Sequence, residues 1–269
     1  MTHHHTASPS TVDGLAVVVV AAGSGTRLGY GLPKALVPVA GRSVLEWALG
    51  TVRQALPTAE LVVTVPEGDT ELTAAAHRSG ATAVTGGPTR AQSVARALAA
   101  LPERATHVLV HDAARCLTPA AVFERVVAAL ASGSRAVVPV TEVTDTVRGV
   151  DAAGRSTGTV ERSALRRVQT PQGFERHLLE RVNTAAGLLP VVPAGDAPDE
   201  NAGAPAEGAA PQPVVGPDGD PEGITDDASL VERFAPEQPV DLVAGHEESF
   251  KITRPVDLLL ARALADARG

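Results

Sequence analysis

The sequence predicts an α/β fold in which a mostly parallel sheet carries helices on both faces. Three observations predict it. Short apolar runs rich in β-branched residues, with no polar alternation, mark strands buried on both sides. These runs alternate with segments of helical apolar spacing, the order expected of a parallel sheet. Aromatic residues make up only 2% of the 269, so the core must be built from Val, Leu, Ala and Ile.

The first strand is Leu15 to Ala21, ending in the glycine-rich turn at Gly23. After a long loop, Ser43-Val44-Leu45-Glu46 has the Ser-x-x-Glu spacing of a capping box, and apolar positions recur at helical spacing through Leu56. Leu61 to Val65 reads as a strand, Glu67 to Ser79 as a helix, Ala81 to Thr85 as a strand and Thr89 to Leu101 as a helix. His107 to His111 is the next strand; Thr118-Pro119 opens a helix through Leu130, and Arg135 to Val140 is a strand. The rhythm then breaks. Two β-prone stretches, Glu142 to Val150 and Thr157 to Glu161, flank Asp151-Ala152-Ala153-Gly154, a hairpin turn by composition. Such a hairpin could protrude as an arm or pack as an edge of its own sheet. Gly173 to Leu188 reads as a helix, Thr225 to Phe234 as a short helix, Val240 to Ala244 as a strand and Thr253 to Ala265 as a terminal helix.

The expected organisation is a disordered leader over 1–13 and one domain over 14–269. An arm at about 142–162 and a flexible acidic insertion at about 190–223 decorate it. Between Pro190 and Gly223 lie seven acids, eight prolines, six glycines and no Lys or Arg. That composition cannot bury enough apolar surface to offset its ordering entropy. The formal charge is −8, and most of it sits there, so the remainder is close to neutral and offers no basic stripe for nucleic acid. A single cysteine, Cys116, excludes an internal disulfide and reads as a packing residue. No apolar run approaches the ~20 residues needed to span a bilayer, and the polar N-terminus lacks the apolar core of a signal peptide. No membrane association and a cytoplasmic location are the expectations.

The chemistry concentrates at the ends of strands. Ala21-Ala22-Gly23-Ser24-Gly25-Thr26-Arg27 follows the first strand directly, and small residues there let backbone N–H groups approach phosphate oxygens. Arg27 offers a bidentate fork and Lys34 a point charge. The segment is neither a Walker loop nor a Gly-x-Gly-x-x-Gly fingerprint. Asp112 ends another strand; its carboxylate could position a ligand, assist a magnesium ion, or be satisfied by backbone amides.

Read together, Ala21 to Leu28 with Pro33-Lys34, Val110-His111-Asp112-Ala113-Ala114-Arg115, Val160-Glu161-Arg162, Gln169-Thr170-Pro171-Gln172 and Phe250-Lys251-Ile252-Thr253-Arg254-Pro255 resemble one set of motifs. The first is the signature of sugar nucleotidyltransferases. The five in this order resemble the 2-C-methyl-D-erythritol 4-phosphate cytidylyltransferase family of non-mevalonate isoprenoid biosynthesis, from about Leu15 to Leu264 with the acidic insertion excluded. The resemblance implies a single Rossmann-like nucleotidyltransferase domain. It implies transfer of a cytidylyl group from CTP to the polyol phosphate, with diphosphate as the second product and Mg²⁺ as cofactor.

It also implies roles. Arg27 and Lys34 match cations on the triphosphate. Arg162 and Lys251 match the pair that aligns the acceptor phosphate, and these four are the expected catalytic residues. Ala21, Ala22, Gly23, Gly25, Gly86, Gly87, Ser93, Asp112 and Ala113 match CTP-binding positions, Asp112 also being the expected metal contact. Arg115, Thr146 and Thr170 match acceptor contacts. Pro88 stands where many relatives place an acidic or polar residue, which weakens the carry-over of side-chain contacts there. In the family the arm crosses to a second subunit, which implies a homodimer whose Thr146 and Arg162 complete the neighbour's site. Two other readings stay open: the same chemistry on ribitol 5-phosphate, or a catalytically silent CTP-binding subunit. A metal-dependent glycosyltransferase is disfavoured, since Asp112-Ala113-Ala114 replaces the Asp-x-Asp pair it needs.

Overall fold

Burial on both faces of the first strand sets the architecture. In β1 (Leu15–Val20) Ala16, Val17, Val18 and Val19 are all fully buried, with successive side chains feeding opposite faces. The structure is a computed structural model that describes residues 12–23, 28–190 and 224–268. A two-stranded ribbon, β2 (Pro38–Val39) and β3 (Arg42–Ser43), falls inside the stretch expected to be loop. Then follow α1 (Val44–Ala55), β4 (Glu60–Val65), α2 (Thr70–Arg78), β5 (Thr82–Thr85), α3 (Arg90–Ala99), β6 (His107–Asp112), α4 (Ala120–Ala131) and β7 (Ala136–Glu142). The hairpin is β8 (Val147–Val150) with β9 (Ser156–Val160), and β10 (Arg166–Val168), β11 (Gln172–Glu175), α5 (Arg176–Ala185), α6 (Asp227–Phe234), β12 (Asp241–Ala244) and α7 (Pro255–Asp266) complete the order.

The central sheet has eight strands in the order β10-β7-β11-β6-β1-β4-β5, with β12 also on β7. β1, β4, β5, β6, β7 and β12 run one way, while β10 and β11 run against them. One layer packs α1, α2, α4 and α7 on Val17 and Val19; the other packs α3, α5 and α6 on Ala16 and Val18. The capping box expected at Ser43 is formed: Ser43 Oγ accepts from the Glu46 N–H at 3.2 Å and Glu46 accepts from the Ser43 N–H at 2.9 Å.

Two expectations are corrected. The helix expected from Gly173 begins only at Arg176, because Gln172–Glu175 wedge between β6 and β7 as an antiparallel strand. A side chain at Gly173 would meet Val126 Cγ1 at 2.5 Å, so helix α4 closes over this point. The helix expected from Glu67 begins at Thr70, where Asp69 caps it by accepting from the Leu72 N–H.

The hairpin forms a sheet of its own, with all five residues of β9 exposed. Its turn is closed by Asp151, which accepts from the N–H groups of Ala153 and Arg155, and by Gly154 at φ 77°. Of the leader only Val12 and Asp13 are described, and of the acidic insertion only Pro190; the remaining residues of both segments lie outside the described residues. No helix among the described residues is long and apolar enough to cross a membrane.

Candidate active site

β1 pairs with β4 on one side and β6 on the other, while the chain leaves them toward opposite edges of the sheet. A crevice opens at such a switch point beyond the carboxyl ends of the strands. Here it is a cavity of about 330 Å³. Of the residues expected to act, it is lined by Ala21, Ala22, Gly23, Lys34, Gly87, Ser93, Asp112, Ala113 and Lys251. Arg27 and Gly25 lie outside the described residues. Gly86, Arg115, Thr146, Arg162 and Thr170 do not line it.

The β1 wall is backbone. The Ala21 N–H donates to Thr64 O at 3.0 Å, which continues the β1–β4 ladder one residue past the strand. Behind it, a side chain at Gly86 would meet Ala22 Cβ at 2.4 Å, so Gly86 acts by letting Ala22 sit against the floor. Ser93 braces the neighbouring turn: its Oγ accepts from the Gly87 N–H at 3.0 Å and donates to Thr89 O at 2.8 Å. Lys34 opens the 3-10 turn Lys34–Leu36 and faces the same cavity.

Asp112 is the electrostatic centre. Its Oδ2 lies 2.7 Å from Lys251 Nζ, and its Oδ1 accepts from Arg90 Nε at 3.0 Å. Burial alone would raise this carboxyl, yet Arg90 and Lys251 hold it well below the usual carboxylate range, so it is ionised. Lys251 reaches it because the Ile252 N–H donates to Ala114 O at 2.9 Å and Ile252 is buried beneath.

Arg90 and Asp227 were not expected here. Arg90 Nη2 donates to Asp227 Oδ2 at 2.8 Å, and Asp227 is almost wholly buried. Burial pushes the Asp227 carboxyl up against the pull of Arg90, while the two carboxylates together outweigh burial and raise the guanidinium. Gln172 fixes the start of α6 by accepting from the Asp227 and Ala228 N–H groups and donating to Asp226 Oδ2. The only local signal for Arg90 was a cation at the first position of α3, where the helix dipole disfavours positive charge.

The other expected residues surround this centre. Thr170 Oγ1 accepts from the Asp112 N–H at 3.0 Å and lies 3.0 Å from His111 Nδ1. Arg115 spends its guanidinium on backbone, with Nη1 on Ser249 O at 2.7 Å and Nη2 on Val168 O at 3.1 Å. Arg162 donates to Thr144 O at the foot of the hairpin, and Thr146 is exposed beside it.

The donor set fits a magnesium ion that arrives on a triphosphate. No group of three or more His, Cys, Asp or Glu gathers among the described residues, so there is no all-protein cage there. Mg²⁺ keeps several waters and takes phosphate oxygens, so one ionised carboxylate such as Asp112 suffices.

The family model for 2-C-methyl-D-erythritol 4-phosphate cytidylyltransferase matches residues 15–220 and 217–266. The 2-C-methyl-D-erythritol 4-phosphate cytidylyltransferase of Rhodococcus opacus (strain B4) is 42% identical over 250 residues, 93% of this chain and 94% of that protein. The protein of that name from Nocardia farcinica (strain IFM 10152) is 42% identical over 259 residues, 95% of this chain and 96% of its own. The crystal structure of the Thermus thermophilus protein of that name superposes with a TM-score of 0.66 at 35% identity, covering 93% of this chain and 98% of that one. On the motifs, the fold and these matches, the chain belongs to the 2-C-methyl-D-erythritol 4-phosphate cytidylyltransferase family.

Proposed function

We propose that the chain transfers the cytidylyl group of CTP to 2-C-methyl-D-erythritol 4-phosphate, releasing diphosphate and 4-diphosphocytidyl-2-C-methyl-D-erythritol. The observation that carries this reading is the convergence of Lys34, Asp112 and Lys251 on one cavity that is also lined by the small residues Ala21, Ala22 and Gly23. A phosphate oxygen of the acceptor attacks the α-phosphorus of CTP; the bond from that phosphorus to the bridging oxygen breaks, and diphosphate leaves. The nucleophile is already an anion, so no side chain need take a proton.

What this transfer needs from the protein is alignment and charge stabilisation. Ala21, Ala22 and Gly23 hold the nucleotide by backbone, with Gly86, Gly87 and Ser93 shaping the base turn. Lys34, together with Arg27, stabilises charge building on the triphosphate. Lys251 draws the acceptor phosphate toward Asp112 and Ala113. Mg²⁺, when bound through Asp112, supplies further neutralisation of the phosphates. Thr170 fixes the Asp112 backbone, and Arg115 fixes the loop that bears Lys251.

Arg162 and Thr146 belong to this reading through a homodimer whose hairpin reaches the neighbour's cavity. The separate two-stranded sheet supports it, as do the exposed Val150 and Val160 on the hairpin and Val168 and Leu242 on flanking strands. One nucleotidyltransferase domain over 14–269 and a cytoplasmic setting go with it. The test is phosphorus NMR of the reaction mixture with CTP, Mg²⁺ and the acceptor. Paired resonances of a new diphosphate diester, with free diphosphate in equal amount, are expected. CDP or CMP as the only nucleotide product would overturn the assignment.

A further inference from the structure

Three charged groups of the cavity lining, Lys251, Asp112 and Arg90, continue inward to buried Asp227 in a row that alternates in sign. The two cations on Asp112 are held differently. Lys251 is 40% exposed, whereas Arg90 is 24% exposed and is gripped from behind by Asp227 at 1%. Arg90 also occupies the first position of α3, where the helix dipole opposes a cation, so its placement depends on the two carboxylates. Asp227 is fixed in turn through its own N–H, which donates to buried Gln172.

We propose that Arg90 and Asp227 are a positioning pair for Asp112. The pair holds Oδ1 permanently, so that Oδ2 is the oxygen presented to a metal–nucleotide ligand once Lys251 turns toward the acceptor. Arg90 lines the cavity beside Asp112, and its role in this proposal is to act through that carboxylate rather than on the reacting phosphorus or the acceptor. Because Arg90 and Asp227 cancel in charge, the pair orients the carboxylate without changing the net charge beside it. This rests on the reading of the cavity as a Mg²⁺–CTP site.

The experiment is calorimetric titration of the full chain with CTP, once with Mg²⁺ and once with EDTA, which gives the factor by which metal strengthens binding. The double variant Arg90→Met with Asp227→Asn removes the pair at constant net charge and leaves no unpaired buried ion. Its metal factor should fall about tenfold, as for groups that orient a metal ligand. CTP affinity in EDTA should stay within about threefold of wild type, because the β1 wall is untouched. Asp112→Asn should lower the metal factor similarly, and the triple variant should lose no more than Asp112→Asn alone, since residues acting through one another are not additive. An unchanged metal factor in the double variant, or additive losses in the triple, would overturn the proposal. If the double variant does not fold, Arg90→Lys, which keeps the charge but not the two-armed grip, is read by the same factor and the same criteria. Absence of CTP binding by the wild-type chain under both conditions would instead sink the site reading itself.

Discussion

Gln169 grips His246 at both ends of its peptide backbone: its Nε2 donates to His246 O at 2.8 Å and its Oε1 accepts from the His246 N–H at 3.0 Å. A side chain at Gly245 would run into Gln169 Oε1 at 2.3 Å, so the neighbouring glycine is what permits the grip. The clamped loop leads through Ser249, held by Arg115, to Lys251. Gln169→Met keeps the volume and removes both bonds. The Michaelis constant for the acceptor should rise about tenfold with CTP affinity little changed, a loss of the size expected for two part-buried hydrogen bonds. Equal losses for both substrates would mean that the clamp serves the fold at large.

Subunit exchange tests the arm. If the hairpin of one protomer completes the neighbour's site, Lys34→Ala and Arg162→Ala homodimers should each be nearly inactive. Co-folded together they should recover about a quarter of wild-type activity, because half the dimers are mixed and each has one intact site. No recovery from two separately inactive, dimeric variants would place Arg162 in its own chain's site.

Gly86 has a steric role that a substitution exposes. Gly86→Ala would press a methyl against Ala22 Cβ at 2.4 Å and Ser93 Oγ at 2.9 Å. Overpacking of this kind costs ~1–3 kcal/mol, and here the strain falls on the nucleotide wall. CTP should bind at least about tenfold more weakly by calorimetry. Wild-type CTP affinity in a folded Gly86→Ala chain would show that the turn can yield.

Cys116 gives a pH dependence of known sign. The thiol is 1% exposed, and burial pushes its pKa up to about 12. Its folded value lies above the unfolded one, so the unfolded chain loses the proton first. The contribution to stability is complete below about pH 8.5 and declines as pH rises toward 12, by at most ~1.4 kcal/mol per unit. Urea unfolding at pH 8 and pH 10 should show wild type losing more stability than Cys116→Ala between the two. Identical losses in both proteins would contradict the burial argument.

The parallel part of the fold was legible because local patterns encode it. Unalternating runs such as Leu15 to Val20 need two buried faces, and Ser43-x-x-Glu46 announced α1. What stayed hidden depends on distant partners. Gln172–Glu175 carries no strand signal of its own; it is a strand because β6 and β7 leave a slot between them. Arg90 sits 22 residues from Asp112 and 137 from Asp227, and no spacing rule links groups so far apart. Lys34, Asp112 and Lys251, far apart in the motifs that single them out, line one cavity. The motifs gave no hint that Arg115 binds backbone carbonyls, since a motif records residue type and not hydrogen-bond partner.

The central claim is the identity of the acceptor, and it is tested most directly by the initial rate of diphosphate release from CTP and Mg²⁺ with each polyol phosphate in turn. The account predicts turnover with 2-C-methyl-D-erythritol 4-phosphate, at a kcat/KM at least about a hundredfold above that with ribitol 5-phosphate, a difference of ~2.7 kcal/mol in transition-state binding. Release only with ribitol 5-phosphate, or tight CTP binding with no release from either, would contradict it.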